Sequence, residues 1–254
     1  MAGKPFELLP WQKKVLSEMF GRLKPDGTRL RRVGYIEVPK KQGKSTLMAG
    51  VALYLLVADQ EQAAEIYSCG ADREQASIIF RQTVEMVKAS PWLADVCEVI
   101  ESRKTILVRS TNSFYRVLSA DAFRAEGLNV HGLLFDELHT QRDRRLWDCV
   151  RYGGAAREQP VLLSISTAGA DRKSICFEQH TYAKRGIADP MIDPSFFGCI
   201  FAADEADDIS KPATWRKANP SLGHTINEES FEACLLYTSP SPRDLSTSRM
   251  PSSA

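Results

Sequence analysis

The sequence predicts an α/β domain with a mainly parallel central sheet flanked by helices and a small antiparallel insertion. Three observations lead there. Short apolar runs with strand character alternate with segments of helical periodicity. A Gly-Lys-Ser sits where one such strand gives way to a helix. A second apolar run, about ninety residues later, ends in two adjacent acids. Strand–helix alternation implies right-handed crossovers between parallel strands.

The first strand is Val33-Gly-Tyr-Ile-Glu37, and Val38-Pro-Lys-Lys-Gln-Gly-Lys-Ser-Thr46 follows it directly. Backbone N–H groups of such a turn, with the helix N-terminus behind them, form a cradle for anionic oxygens. Lys41, Gln42, Gly43 and Thr46 belong to this cradle. Lys44 would reach the β- and γ-phosphates of a nucleotide, and the Ser45 hydroxyl would coordinate Mg²⁺. The P-loop pattern asks for glycine at position 38, where this chain has Val38. Leu47 to Ala58 is apolar nearly all round, which predicts a buried helix.

Ala64 to Cys69 reads as the next strand. Asp72 is placed to cap a following helix, whose Ala76, Ile79, Phe80, Val84 and Val87 fall at helical spacing and which stops at Ser90-Pro91. Val96 to Ile100, Thr105 to Val108 and Phe114 to Leu118 alternate as antiparallel strands or a β-meander. Gly132-Leu-Leu-Phe-Asp136-Glu137 is a buried strand delivering two carboxylates to the carboxyl edge of the sheet. Asp136 would hold Mg²⁺, and Glu137 would be the general base or the group that orients the attacking water. An Asp-Glu ending favours hydrolysis over phosphoryl transfer to a second substrate, since a kinase must keep water out. The separation of the two motifs leaves room for an extra strand, as in motor ATPases of the RecA-like (ASCE) type. A short helix over 144–150, the strand Val161 to Ser166, a helix through Ile175 and Tyr182, and the strand Phe196 to Ala202 complete the unit.

Composition adds bounds. The chain has 254 residues, 43% apolar and 26% charged, which suits one large α/β domain. A net charge of +1 argues neither for nor against nucleic acid. The basic runs Arg29, Arg31, Arg32 and Arg142, Arg144, Arg145 read as solvated faces. The 6 cysteines are scattered without metal spacing, which suggests reduced thiols in a cytosolic protein. No apolar run reaches transmembrane length, and the first residues do not form a signal peptide. Residues 1–236 read as one ATPase unit. Residues 237–254, rich in Ser, Thr and Pro, read as a disordered tail, either foreign sequence or a native flexible end.

With these motifs in place the chain resembles the large subunit of phage terminase, a motor that packages double-stranded DNA. Leu9-Pro-Trp-Gln12 resembles the family's adenine-contacting motif, the stretch 38–46 its deviant Walker A, and Gly127 to His139 its Walker B region. Ser164 to Gly169 resembles its coupling motif, while Asp204 to Asp207 and Ala213 to Pro220 resemble the close of its ATPase domain. The resemblance implies ATP and Mg²⁺ as ligands, adenine contact by Gln12, γ-phosphate sensing by Lys40, and a sensor role for Thr167. It also implies double-stranded DNA, a portal protein and the small terminase subunit as partners, in a ring of identical subunits. The expected location is the host cell cytoplasm and, transiently, the portal vertex of the procapsid. Arg142, Arg144 and Arg157, expected near the right strand ends, are the candidates for an arginine supplied in trans. The family's nuclease domain is expected to be missing, with Asp204, Glu205, Asp207 and Asp208 a solvated loop. A helicase-like ATPase and a nucleotide-dependent assembly module are the alternative functions.

Overall fold

The computed structural model describes residues 6–70, 73–118, 128–140, 147, 154, 156–169 and 171–232. Among these residues eight strands form one sheet: β1 (Val33–Glu37), β2 (Glu65–Cys69), β3 (Glu98–Ile100), β4 (Thr105–Val108), β5 (Ser113–Val117), β6 (Val130–Asp136), β7 (Val161–Ser166) and β8 (Phe196–Ile200). Their spatial order is β3-β4-β5-β2-β6-β7-β1-β8. Every pairing from β5 to β8 is parallel. Strand β7 lies between β1 and β6, so the expected extra strand separates the two motif-bearing strands. Glu37 is level with Ser166, and Ile165 with Asp136, so three strands end side by side.

Helices α1 (Pro10–Phe20), α2 (Lys44–Val57), α3 (Arg73–Ala89) and α4 (Pro91–Val96) precede the middle of the sheet. Helices α5 (Ile175–Ala188) and α6 (Pro212–Ala218) come late in the chain. The side-chain alternation of a strand sends neighbours to opposite faces. Leu134 accordingly packs with α1, α2 and α3 residues such as Met19, Leu55 and Ile79, while Phe135 packs with Tyr35, Ile175 and Ala183 on the α5 side. Each such buried Leu or Phe stabilises the fold by roughly 1.5–3 kcal/mol. Helix α2 buries residues on every side, including Leu47, Val51, Leu53 and Leu56, as its sequence predicts.

The antiparallel strands β3, β4 and β5 form the expected meander ahead of β6, and β5 also pairs in parallel with β2, so the meander lengthens the main sheet. Two expectations need correction. Ser90-Pro91 does end α3, yet it starts α4 at once: the Ser90 hydroxyl accepts from the Leu93 N–H, and Pro91 occupies the first helical position. That helix takes Val96 from the predicted strand. The run Arg29, Arg31, Arg32 is not a solvated face. Arg29 is 3% exposed and pairs with Asp59 at 2.5 Å, Arg31 donates to the Phe196 carbonyl, and Arg32 to that of Glu158.

Cys69, Cys97, Cys176 and Cys199 are free thiols. The acids at 204–208 lie in an exposed turn, where Asp204 and Asp207 bind the Lys217 ammonium at 2.6 and 2.5 Å. No helix among the described residues is long and apolar enough to cross a membrane. The Asp72 cap, the helix over 144–150 apart from the helical, buried Trp147, the arginines at 142, 144 and 145, and the tail from 237 lie outside the described residues.

Candidate nucleotide site

Strand β1 ends at Glu37, and its ladder continues one step further: the Val38 N–H donates to the Ser166 carbonyl at 3.0 Å. Val38 is wholly buried in the core. The left-handed turns of the loop fall instead at Lys41 (φ 64°) and Gly43 (φ 80°). Position 38 thus packs as strand and has no use for glycine's freedom. The turn at Lys41 is strained for a residue with a Cβ, and such strain persists only where neighbours hold it.

Gly43 is the N-cap of α2 and offers no capping side chain. The first intrahelical bond runs from the Leu47 N–H to the Gly43 carbonyl at 3.1 Å. The N–H groups of Lys44, Ser45 and Thr46 therefore have no intrahelical acceptor, which is the ordinary condition of a helix start that receives an anion. Lys44 is 7% exposed; its ammonium donates to Glu137 Oε1 at 2.8 Å. The Ser45 hydroxyl donates to Asp136 Oδ2 at 3.4 Å. Both acids arrive because β6 is wholly buried and ends level with β7.

Burial, reinforced by the Glu137 charge next to it, pushes the Asp136 carboxyl up to about 6. Its Oδ1 is buried with no hydrogen-bond partner among the described residues. An orphaned carboxylate oxygen beside a serine hydroxyl is a defect that a divalent cation or its water would relieve. Glu137 differs. Burial raises its pKa, but the Lys44 hydrogen bond and charge outweigh that, and the net shift is downward. Glu137 adopts φ 52°, a strained backbone at the strand end. Its Oε2 accepts from the N–H and hydroxyl of Thr167, each at 3.3 Å, and lies 3.1 Å from His139 Nδ1. One carboxylate oxygen therefore faces the Lys44 ammonium and the other the end of β7.

The structure gathers Lys44, Ser45, Asp136, Glu137 and Thr167 at one edge. It places others less directly. Lys40 and Lys41 are both exposed, and the Lys40 side chain makes no hydrogen bond or ion pair among the described residues. Gln12 is 1% exposed, its Oε1 accepting from the Leu9 N–H at 2.9 Å, and its Nε2 lies against Gly43. Gln42 is wholly buried on the far side of the loop, bonded to Asn219 and Ser221. Arg157 lies at the amino ends of the strands, binding Glu61 and the carbonyls of Gln62, Ala63 and Asn129. It is thus remote from the carboxyl edge where sequence reasoning put it.

Sequence reasoning assigned no role to His139. A single 3-10 turn over Leu138–Thr140 curls it back so that its ring and its N–H both reach the Ser166 hydroxyl at 3.1 Å. Its place two residues beyond Glu137 was the only signal available.

Residues 10–185 match the family model of the ATPase domain of the terminase large subunit. The terminase large subunit of Enterobacteria phage HK97 is 31% identical over 235 residues, which cover 90% of this chain and 44% of that protein. The crystal structure of the HK97 large terminase superposes with a TM-score of 0.80 at 28% identity, covering 96% of this chain and 50% of that one. A large terminase from a thermophilic bacteriophage, solved in complex with ADP, shares the fold at 13% identity, with a TM-score of 0.58 over 90% of this chain and 50% of its own. The chain spans about half the length of these relatives.

Proposed function

The chain belongs to the family of terminase large-subunit ATPase domains, and on that premise we propose that it hydrolyses ATP to drive double-stranded viral DNA into a procapsid. The observation that carries this reading is the double bridge across the site, Ser45 to Asp136 and Lys44 to Glu137, between a helix N-terminus and the end of a buried parallel strand.

Lys44 binds the β- and γ-phosphate oxygens, together with the free N–H groups of 43–46. Ser45 and Asp136 would hold Mg²⁺, whose charge would neutralise the phosphates. Glu137 orients the attacking water and accepts its proton, its second oxygen steadied by Thr167. Thr167, at the end of the strand between the two motifs, registers the state of that carboxylate. Exposed Lys40 is free to swing toward the γ-phosphate as a point charge, without the bidentate fork of an arginine. Gln12, packed on Gly43, places the nucleotide base at the α1 end of the loop.

The same reading takes residues 1–236 as the ATPase unit. It assigns a ring of identical subunits working with the portal protein and the small terminase subunit in the cytoplasm of the infected cell. Phosphate release from ATP, measured with and without linear double-stranded DNA, tests it. Mg²⁺-dependent release that DNA stimulates is expected. No nucleotide binding at all would overturn the reading.

A further inference from the structure

The outer side of the phosphate loop is fastened by a segment almost two hundred residues away in sequence. Helix α6 ends at Ala218, and the chain then runs past the loop through Asn219, Ser221 and Thr225. The Thr225 hydroxyl donates to the Lys41 carbonyl at 2.7 Å, and the Ser221 hydroxyl to the Gln42 carbonyl at 3.0 Å. The Ser221 N–H donates to Gln42 Oε1 at 2.8 Å, while Gln42 Nε2 donates to Asn219 Oδ1 at 3.1 Å. Trp11 of α1 completes the clasp, its indole N–H reaching the Ser221 oxygen at 2.9 Å. Gln42, Ser221 and Trp11 are all buried.

A trans peptide is planar, with its C=O and the next N–H pointing in opposite directions. The carbonyls of Lys41 and Gln42 are held outward by two hydroxyls. The N–H groups of Gln42 and Gly43, which share those peptide planes, are thereby turned away from the segment. The same bonds hold the strained backbone of Lys41. We propose that Asn219, Ser221 and Thr225 are positioning residues for the phosphate cradle, and that the segment 219–225 stiffens when nucleotide occupies it. The coupling runs both ways: an element that pre-orders the binding loop is itself ordered by binding. The Gln42 side chain serves this clasp and is not a nucleotide contact; only its backbone N–H faces the cradle. The inference rests on the nucleotide-site reading above.

The test uses the full chain and a non-hydrolysed analogue, ATPγS with Mg²⁺. Thr225→Val and Ser221→Ala each delete one hydroxyl, and the exposed position of Thr225 makes its variant safe for folding. Combined, they are expected to weaken ATPγS binding by roughly 5- to 100-fold, the effect of two modest hydrogen bonds. Thr225→Ser, which keeps the hydroxyl, should bind as the parent does. ATPγS should slow amide exchange across 219–225 in the parent and not in the double variant. Parent-like affinity in both Thr225→Val and the double variant would overturn the proposal, as would unchanged exchange of 219–225 in the ATPγS-bound parent. A parent that fails to bind ATPγS would instead sink the nucleotide-site reading itself.

Discussion

Lys44 and Glu137 form an ion pair at 2.8 Å, so in this structure the ammonium proposed to bind phosphate and the proposed base neutralise each other. On the proposed roles, a triphosphate must draw Lys44 away before Glu137 can serve water. The pair keeps the carboxylate ionised meanwhile, since Lys44 outweighs the burial that would protonate it. On those proposed roles, nucleotide binding and base release are one event.

Lys44→Ala should lose that event at both ends. Triphosphate affinity falls because the ammonium is gone, and the Glu137 pKa rises because its main counter-charge is gone. Equilibrium binding and phosphate release should both drop at least tenfold; parent-like values would remove Lys44 from the site.

Asp136→Asn probes the cation. The orphaned Oδ1 and the raised pKa mark a carboxylate that is unfavourable without a partner. Asparagine relieves the buried charge, so the melting temperature should hold or rise while Mg²⁺-dependent nucleotide binding weakens. Parent-like dependence of binding on Mg²⁺ concentration would place the metal elsewhere.

The opposite edge of the sheet supplies a stability test. Asp59 joins Arg29 at 2.5 Å and His131 at 2.7 Å, each partner nearly buried. Burial alone would raise the Asp59 pKa, but His131 and Arg29 together carry it below its usual value. A lowered folded-state pKa means the stabilisation is present above the unfolded value, near 3.9, and is lost as pH falls through the folded value. Asp59→Ala should cost about 3–5 kcal/mol near neutral pH, because it strands a buried guanidinium. Denaturant titrations at pH 7 and below pH 4 should show the difference shrinking with acid.

Gly198 of β8 lies against Ala183 of α5, where an added Cβ would come within 2.9 Å of the Ala183 Cβ and 3.0 Å of its Cα. Backbone cannot step aside as a flexible side chain can. Gly198→Ala should cost about 1–3 kcal/mol, read as a lower midpoint in denaturant. An unchanged midpoint would mean that α5 is not seated as described.

Periodicity carried most of the fold because the strands of a parallel sheet are buried on both faces: Val33 to Glu37 and Val161 to Ser166 are strands at the bounds their apolar runs mark. The strand order was not legible, since which strand lies between two others depends on crossovers that no local pattern records. Local composition also misled where polar residues are used internally. Arg29 reads in sequence as surface charge and Arg157 as a candidate for an arginine supplied in trans, yet both bind carbonyls and acids from distant segments. The site was legible where one motif supplies both residue type and position, as with Lys44, Ser45, Asp136 and Glu137. His139 and Ser221 escaped because their partners lie 27 and 179 residues away.

The most direct test of the account is Glu137→Gln, assayed for both ATP affinity and phosphate release at protein concentrations that favour assembly. Glutamine keeps the shape and can hydrogen-bond water, but it cannot take the proton or hold Lys44 as an ion pair. ATP affinity should therefore hold or rise, while phosphate release falls by roughly 10²–10⁴-fold, the usual loss on removing a general base. Parent-like phosphate release from Glu137→Gln, with Asp136→Asn inactive, would contradict the assignment and place the base elsewhere.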